Sequence, residues 1–197
     1  MWKTSLKLDF RLAVMKTPTK GSILLSEPFL KDPNFARSVV LLTEHNDEGS
    51  IGFILNRPIS YKINEIIEDF PDFDAPVYLG GPVQRDSLHF IHRIQALAED
   101  GDEIAPGVYW GGNFEKLKSL IRLNIIHPND IRFFVGYSGW GPNQLEGEMQ
   151  TRSWILSRTG GHYTFSEKSE SLWGEILQAM GGKYKAMAHY PTDPSLN

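Results

Sequence analysis

At 197 residues, with 41% hydrophobic and 22% charged side chains, the chain has an ordinary globular composition and enough length for one good core or two small subdomains sharing an interface. A formal net charge of −4 argues against broad nucleic-acid binding, which rests on Lys and Arg neutralising phosphates. There is no cysteine, which excludes disulfides, thiolate catalysis and cysteine-based zinc sites, and the cytoplasm is the default compartment.

In the opening segment MWKTSLKLDFRLAVMK, Lys7, Asp9 and Arg11 interrupt any apolar signal-peptide core. No later run reaches membrane-spanning length, so a soluble protein with no membrane partner is expected. Residues 1–20 read as an N-terminal arm, 21–189 as one α+β domain, and 190–197 as a polar, mobile tail. Ser22 to Ser26 is the first strand. Arg37 to Thr43 and Ile51 to Leu55 form a hairpin over 37–57 with a long polar loop at His45–Gly49, ended by Pro58. Ile63 to Phe70 has helical spacing, Val77–Leu79 is a strand running into Gly80-Gly81-Pro82, and Ser87 to Ile94 alternates as a strand. Gly101 and Pro106 bracket a loop, and Val108–Trp110 is a brief strand. Asn113 caps a helix that carries Phe114, Leu117, Leu120 and Ile121 on one face.

The stretch Ile131 to Glu148 combines the clearest apolar alternation with Gly136, Gly139 and Gly141, and the rest of the chain is read relative to it. The spacing predicts a strand, a glycine loop, and a helix beginning at Pro142 with Gly141 as its N-cap. Trp154 and Leu156 alternate in a following strand, and Leu172 to Met180 is the last helix, stopped by Gly181-Gly182. Strands and helices do not alternate regularly. The expected class is therefore α+β: a compact single domain of coiled, mainly antiparallel sheets with short flanking helices.

A strand, a glycine loop and a helix N-terminus together can receive an anion through backbone N–H groups, with Trp140 as a wall and Arg57 as the completing charge. A tight structural turn with Trp140 in the core is the competing interpretation. Ser138 sits where a nucleophile elbow would place its serine, but the second glycine of that motif is replaced by Trp140. His89 and His92 are three apart on a strand and face opposite sides, so no metal site is expected. No phosphate-binding or dinucleotide fingerprint is present, and no cofactor is assigned.

The whole chain resembles the YqgE/AlgH family of small bacterial proteins. The segments carrying the resemblance are GSILLSEPFLKDPNFARSVVLLTEHNDEGSIGFILNRP at 21–58, YLGGPV at 78–83, GVYWGG at 107–112, and FFVGYSGWGPNQLEGE at 133–148 with Trp154 beyond. The resemblance implies a compact α+β fold with coiled sheets. It also implies a link to transcriptional regulation, although no helix-turn-helix is visible and direct DNA binding is not expected. Family motifs fall on Asn56, Arg57 and Pro58, on Gly80, Gly81 and Pro82, and on Gly136, Gly139, Trp140, Gly141, Gln144, Leu145 and Glu148. Asn56, Arg57, Gly80, Gly81, Gly139, Trp140, Gly141 and Gln144 from these motifs, with Ser138 of the same stretch, are the candidate ligand-binding residues, with no catalytic residue assigned. The expected activity is non-enzymatic binding of a small anion or a protein partner in regulation. The alternatives are a hydrolase using the glycine loop and a transcriptional regulator.

Overall fold

The computed structural model of the chain describes residues 17–157 and 163–191. In chain order the strands and helices are β1 (Ile23–Ser26), β2 (Val39–Asn46), β3 (Gly49–Ile54), β4 (Pro58–Lys62), α1 (Ile63–Ile66), β5 (Pro76–Leu79), β6 (Val83–His92), β7 (Asp102–Ala105), β8 (Val108–Trp110), α2 (Phe114–Arg122), β9 (Ile131–Trp140), α3 (Gln144–Gln150), β10 (Trp154–Ser157), α4 (Leu172–Met180) and α5 (Gly182–Met187). The strands form one ten-stranded sheet in the order β10-β1-β2-β3-β9-β6-β8-β7, with the β4–β5 pair joined to β9 through β5. Pairing is antiparallel except between β5 and β9. The class is α+β, as expected.

The ten residues of β9 hold the sheet together because its two halves pair differently. Ile131 to Val135 lies between β5 and β6, whereas Ser138 to Trp140 pairs with Gly52 to Ser50 of β3. Side chains alternate across a strand, so Phe133 and Phe134 enter different clusters. Phe133 packs with Phe70, Leu117 and Ile121 under α2, and Phe134 packs with Phe53 and Trp173 under α4. Both phenylalanines are fully buried, so both faces of this half are covered. The cluster at the other end holds Leu42, Ile54, Leu145, Trp140 and Trp154.

The glycine stretch is strand rather than loop. Gly136 bends β9 where the register with β6 shifts, at φ 66°, and a Cβ there would stand 2.7 Å from the Val83 carbonyl oxygen. The next turn also differs from expectation: α3 begins at Gln144, and its N-cap is Asn143 in the left-handed conformation at φ 59°. Pro142 lies in the connecting turn, and Gly141 is not the cap.

Other boundaries move for local reasons. The β2–β3 turn is only Asp47-Glu48, tightened by the Asn46 side chain accepting from the Glu48 N–H at 2.8 Å, so the long hairpin loop is replaced by strand. Residues 102–105 pair with β8 instead of forming a loop, and β6 starts at Val83. The helix read over 63–70 is the single turn of α1. Gly181 ends α4 at φ 69°, and α5 follows at once, a helix the sequence reading omitted. In α2, Asn113 accepts from the Lys116 N–H at 3.0 Å as its spacing predicts. The arm's first sixteen residues, His162, and residues 192–197 of the tail lie outside the described residues. Tyr190, at the start of the tail, stacks on Phe29 and accepts a hydrogen bond from Arg37 through its carbonyl.

Candidate functional site

The nine candidate residues separate into two groups. Gly139, Trp140, Gly141 and Gln144 gather at the C-terminal end of β9. Beside them Phe35, Glu148 and Trp154 complete a depression of about 270 Å³. Its geometry is organised by Glu148, one helical turn beyond Gln144. One oxygen of this carboxylate accepts both indole N–H groups, from Trp140 at 3.0 Å and Trp154 at 2.7 Å, while the other accepts the Gln144 amide at 2.9 Å. The Gln144 carbonyl in turn accepts the Gly141 N–H at 3.0 Å. Phe35 stacks on Trp140 and meets Trp154 edge-on, with ring centroids 6.1 and 5.4 Å away.

This arrangement changes the expected chemistry of the site. Trp140 is buried instead of partly exposed with its indole N–H given to Glu148, and the Gly141 N–H is taken by Gln144, so these two donors are not presented to an anion. Glu148 and Asp32 line the depression and no Lys or Arg does. Its lining charges favour a cation over an anion, and Phe35, Trp140 and Trp154 are its aromatic lining residues.

Arg57 does not complete an anion site. Its guanidinium donates to the Pro33 carbonyl at 3.3 Å and the Ala36 carbonyl at 3.0 Å, fastening the 32–36 turn that presents Phe35. Partial burial lowers its pKa, against the raising pull of Asp32. Asn56 accepts from the Val39 N–H and donates to the Arg37 carbonyl, both at 2.9 Å, which fixes the entry into β2. Gly80 and Gly81 are buried where two chain segments cross: a Cβ on Gly80 would stand 2.3 Å from the Gly136 carbonyl oxygen. Ser138 is buried and donates to the Gly80 carbonyl at 3.0 Å, so its hydroxyl is committed to that crossing. These five residues shape and support the depression without lining it.

His89 and His92 differ in burial as well as direction. His92 is fully buried, with Nε2 donating to the Gly111 carbonyl at 3.0 Å and Nδ1 accepting from the Ile94 N–H at 3.1 Å, and burial lowers the pKa of both imidazoles. Among the described residues no group of three His, Cys, Asp or Glu side chains has the geometry to hold a metal ion. Nor is any helix among them long and apolar enough to cross a membrane.

A family model described as AlgH-like matches residues 23–185, a span that includes both groups of candidate residues. The chain belongs to the AlgH-like family. A UPF0301 protein of Cytophaga hutchinsonii is 47% identical over 180 residues, covering 91% of this chain and 99% of that one. A second UPF0301 protein, from Chlorobium limicola, is 44% identical over 177 residues, covering 90% and 95%. Among solved structures, the AlgH protein of Pseudomonas aeruginosa superposes with a TM-score of 0.69 at 25% identity, covering 89% of this chain and 96% of its own. A Corynebacterium diphtheriae protein shares the fold at a TM-score of 0.70 and 20% identity, covering 88% and 93%.

Sequence reasoning missed several members of this candidate site. Glu148 was visible one turn beyond Gln144, but its three donors were not. Phe35 and Trp154 are distant in sequence and enter only through the fold. A polar relay was missed as well: Ser50, paired to Trp140, contacts His45 Nδ1 at 2.8 Å, and His45 Nε2 lies 3.5 Å from Glu146.

Proposed function

We propose that this AlgH-like protein acts in the cytoplasm as a non-enzymatic regulatory binding protein. Its recognition surface is the aromatic depression between β9, α3 and the 32–36 turn, and its ligand is a protein partner presenting a Lys or Arg side chain. The observation supporting this reading is the convergence of two indole N–H groups on Glu148, which holds the carboxylate in place among aromatic side chains suited to a cation. A larger groove of about 780 Å³, with Met149, Ile155, Leu156, Tyr184 and Met187 in its wall, continues beyond Trp154 and supplies apolar area for a protein surface. The small-anion reading loses support here, because the lining charges are negative.

A photoreactive residue at the half-buried rim position Leu30 tests the reading in cells. Partners captured by the otherwise wild-type protein should be lost with Glu148→Gln and with Phe35→Ala. Unchanged capture in both folded variants would contradict it. Arginine methyl ester is the defined probe in solution and should change the fluorescence of Trp140 and Trp154 saturably.

A second reading, a hydrolase, draws on the Ser50–His45–Glu146 relay, in which Nε2–H toward Glu146 leaves Nδ1 to accept the serine proton. Ser50 is 5% exposed and lines none of the depressions described above. Labelling of Ser50 by a fluorophosphonate, abolished by His45→Ala, would favour this reading over the first. Absence of labelling would remove it.

A further inference from the structure

The opposite end of β9 carries a charge for which the described residues supply no ion-pair partner. Arg132 is 4% exposed, and its guanidinium donates to two backbone carbonyls, that of Leu55 at 2.6 Å and that of Ser166. It also stands 4.5 Å over the Tyr78 ring. Carbonyl oxygens satisfy hydrogens without cancelling charge, and these two acceptors engage only part of a five-donor group. Among the described residues no carboxylate is within ion-pair distance of it. Desolvation by burial, the larger influence, lowers its pKa, while Tyr78 raises it. A buried cation with no counter-charge is costly to maintain, and truncating such a group or supplying its partner changes stability strongly.

Arg132 also lines a cavity. A pocket of about 200 Å³ opens beside it, walled by Tyr78, Pro128, Ile131 and Phe165, with Asn129 and Glu167 at the exposed rim. Neither of the nearby ionic groups forms an ion pair with Arg132. Arg93 is bound to Asp130 at 2.9 Å, and Glu167 accepts from the Asn129 side chain. The Tyr78 hydroxyl accepts from Ser169 at 3.4 Å, which leaves its own proton available to donate. A guanidinium and a phenol therefore flank one small cavity, with apolar surface behind them.

We propose that this pocket is a binding site for a small oxyanion, a carboxylate or phosphate group, held by Arg132 and Tyr78 and gated electrostatically by Glu167. It is separate from the aromatic depression and does not depend on the partner-binding function proposed there. Planar carboxylates and phosphates match the fork of a guanidinium, and low local dielectric strengthens the pairing. The remaining donors and the volume suit a single anionic group, and Glu167 at the mouth opposes entry of a second charge.

Calorimetric titration with inorganic phosphate and, separately, acetate at constant ionic strength set by chloride tests the site and distinguishes the two sources of anion. At least one of them should bind saturably at a single site with a Kd below about 10 mM, and raise the melting temperature when chloride at the same ionic strength does not. Glu167→Gln should tighten binding severalfold and Tyr78→Phe should weaken it severalfold. Arg132→Gln should weaken it by about tenfold or more. If Arg132→Gln does not fold, Glu167→Gln and Tyr78→Phe, which leave the buried guanidinium in place, carry the test. The proposal is overturned if neither anion binds the wild-type protein up to about 50 mM, or if binding is indifferent to all three substitutions.

Discussion

At the Trp140 end of β9 a carboxylate is surrounded by protein donors, two indoles and an amide, and sits in an aromatic depression. At the Arg132 end a guanidinium is surrounded by carbonyls and a phenol ring, and sits beside a smaller cavity. Hydrogen bonding and charge balance are different requirements, and the comparison separates them. Glu148 accepts three protein donors and lies in a half-exposed position, where the proposed cationic side chain of a partner would meet it. Arg132 is held inside without an ion-pair partner among the described residues, and the proposed counter-charge is a group small enough to enter the cavity beside it. On the two proposals made above, one strand would carry two sites of opposite preference, with the buried pair Phe133 and Phe134 between them.

Cutting the joint should have the largest effect. Phe133→Ala removes a fully buried ring that contacts Phe70, Phe73 and Phe90, and is expected to cost about 3–5 kcal/mol in urea unfolding. A cost below about 1 kcal/mol would mean that the two ends do not share a packed centre. Next is Glu148→Ala, which orphans both indole donors and should cost roughly 2–6 kcal/mol, at about 1–3 for each buried donor left unpaired. Glu148→Gln retains an acceptor and should cost markedly less. Equal losses would show that the indoles do not depend on this side chain.

Arg57→Ala should cost only about 1 kcal/mol, since its acceptors lie on a partly exposed turn, yet weaken arginine methyl ester binding by loosening Phe35. A large loss of stability with unchanged binding would reassign Arg57 to the core of the fold. The smallest effect at neutral pH comes from the imidazoles. Burial places the folded-state pKa of His89 and His92 below the ordinary 6.5, so below that pH the unfolded chain binds more protons than the folded one. Their contribution is fully present above about pH 6.5 and should be lost as pH falls from there through the folded values. Thermal melts across that range should show the decline, and His92→Gln should flatten it.

Period-two alternation identified the β2–β3 hairpin and the β9 strand, and Asn113 marked the start of α2, because those signals are local. The end of β9 was misread for a physical reason. Glycines that permit a turn also permit close crossing of strands, and only the approach of Gly80 to Gly136 and the pairing with β3 decide between the two. The short helix α5 follows a Gly-Gly pair that reads as a terminator. At the site, Trp140 and Gln144 were legible from their neighbourhood, but Phe35 and Trp154 reach them across 105 and 14 positions of sequence. Arg132 alternates with core residues and reads as solvent-facing until the 163–171 segment is seen to cover it, through contacts with no periodic signature.

The most direct test is a ¹⁵N–¹H NMR titration of one sample, first with arginine methyl ester and then with inorganic phosphate. The account predicts that the cation shifts the amides of Gly139 to Gln144 and the indole signals of Trp140 and Trp154. Phosphate should then shift Tyr78, Asn129 and Arg132 while leaving the first set unmoved. Perturbation of the same residues by both probes, or of neither region by either, would contradict the assignment of opposite sites to the two ends of β9.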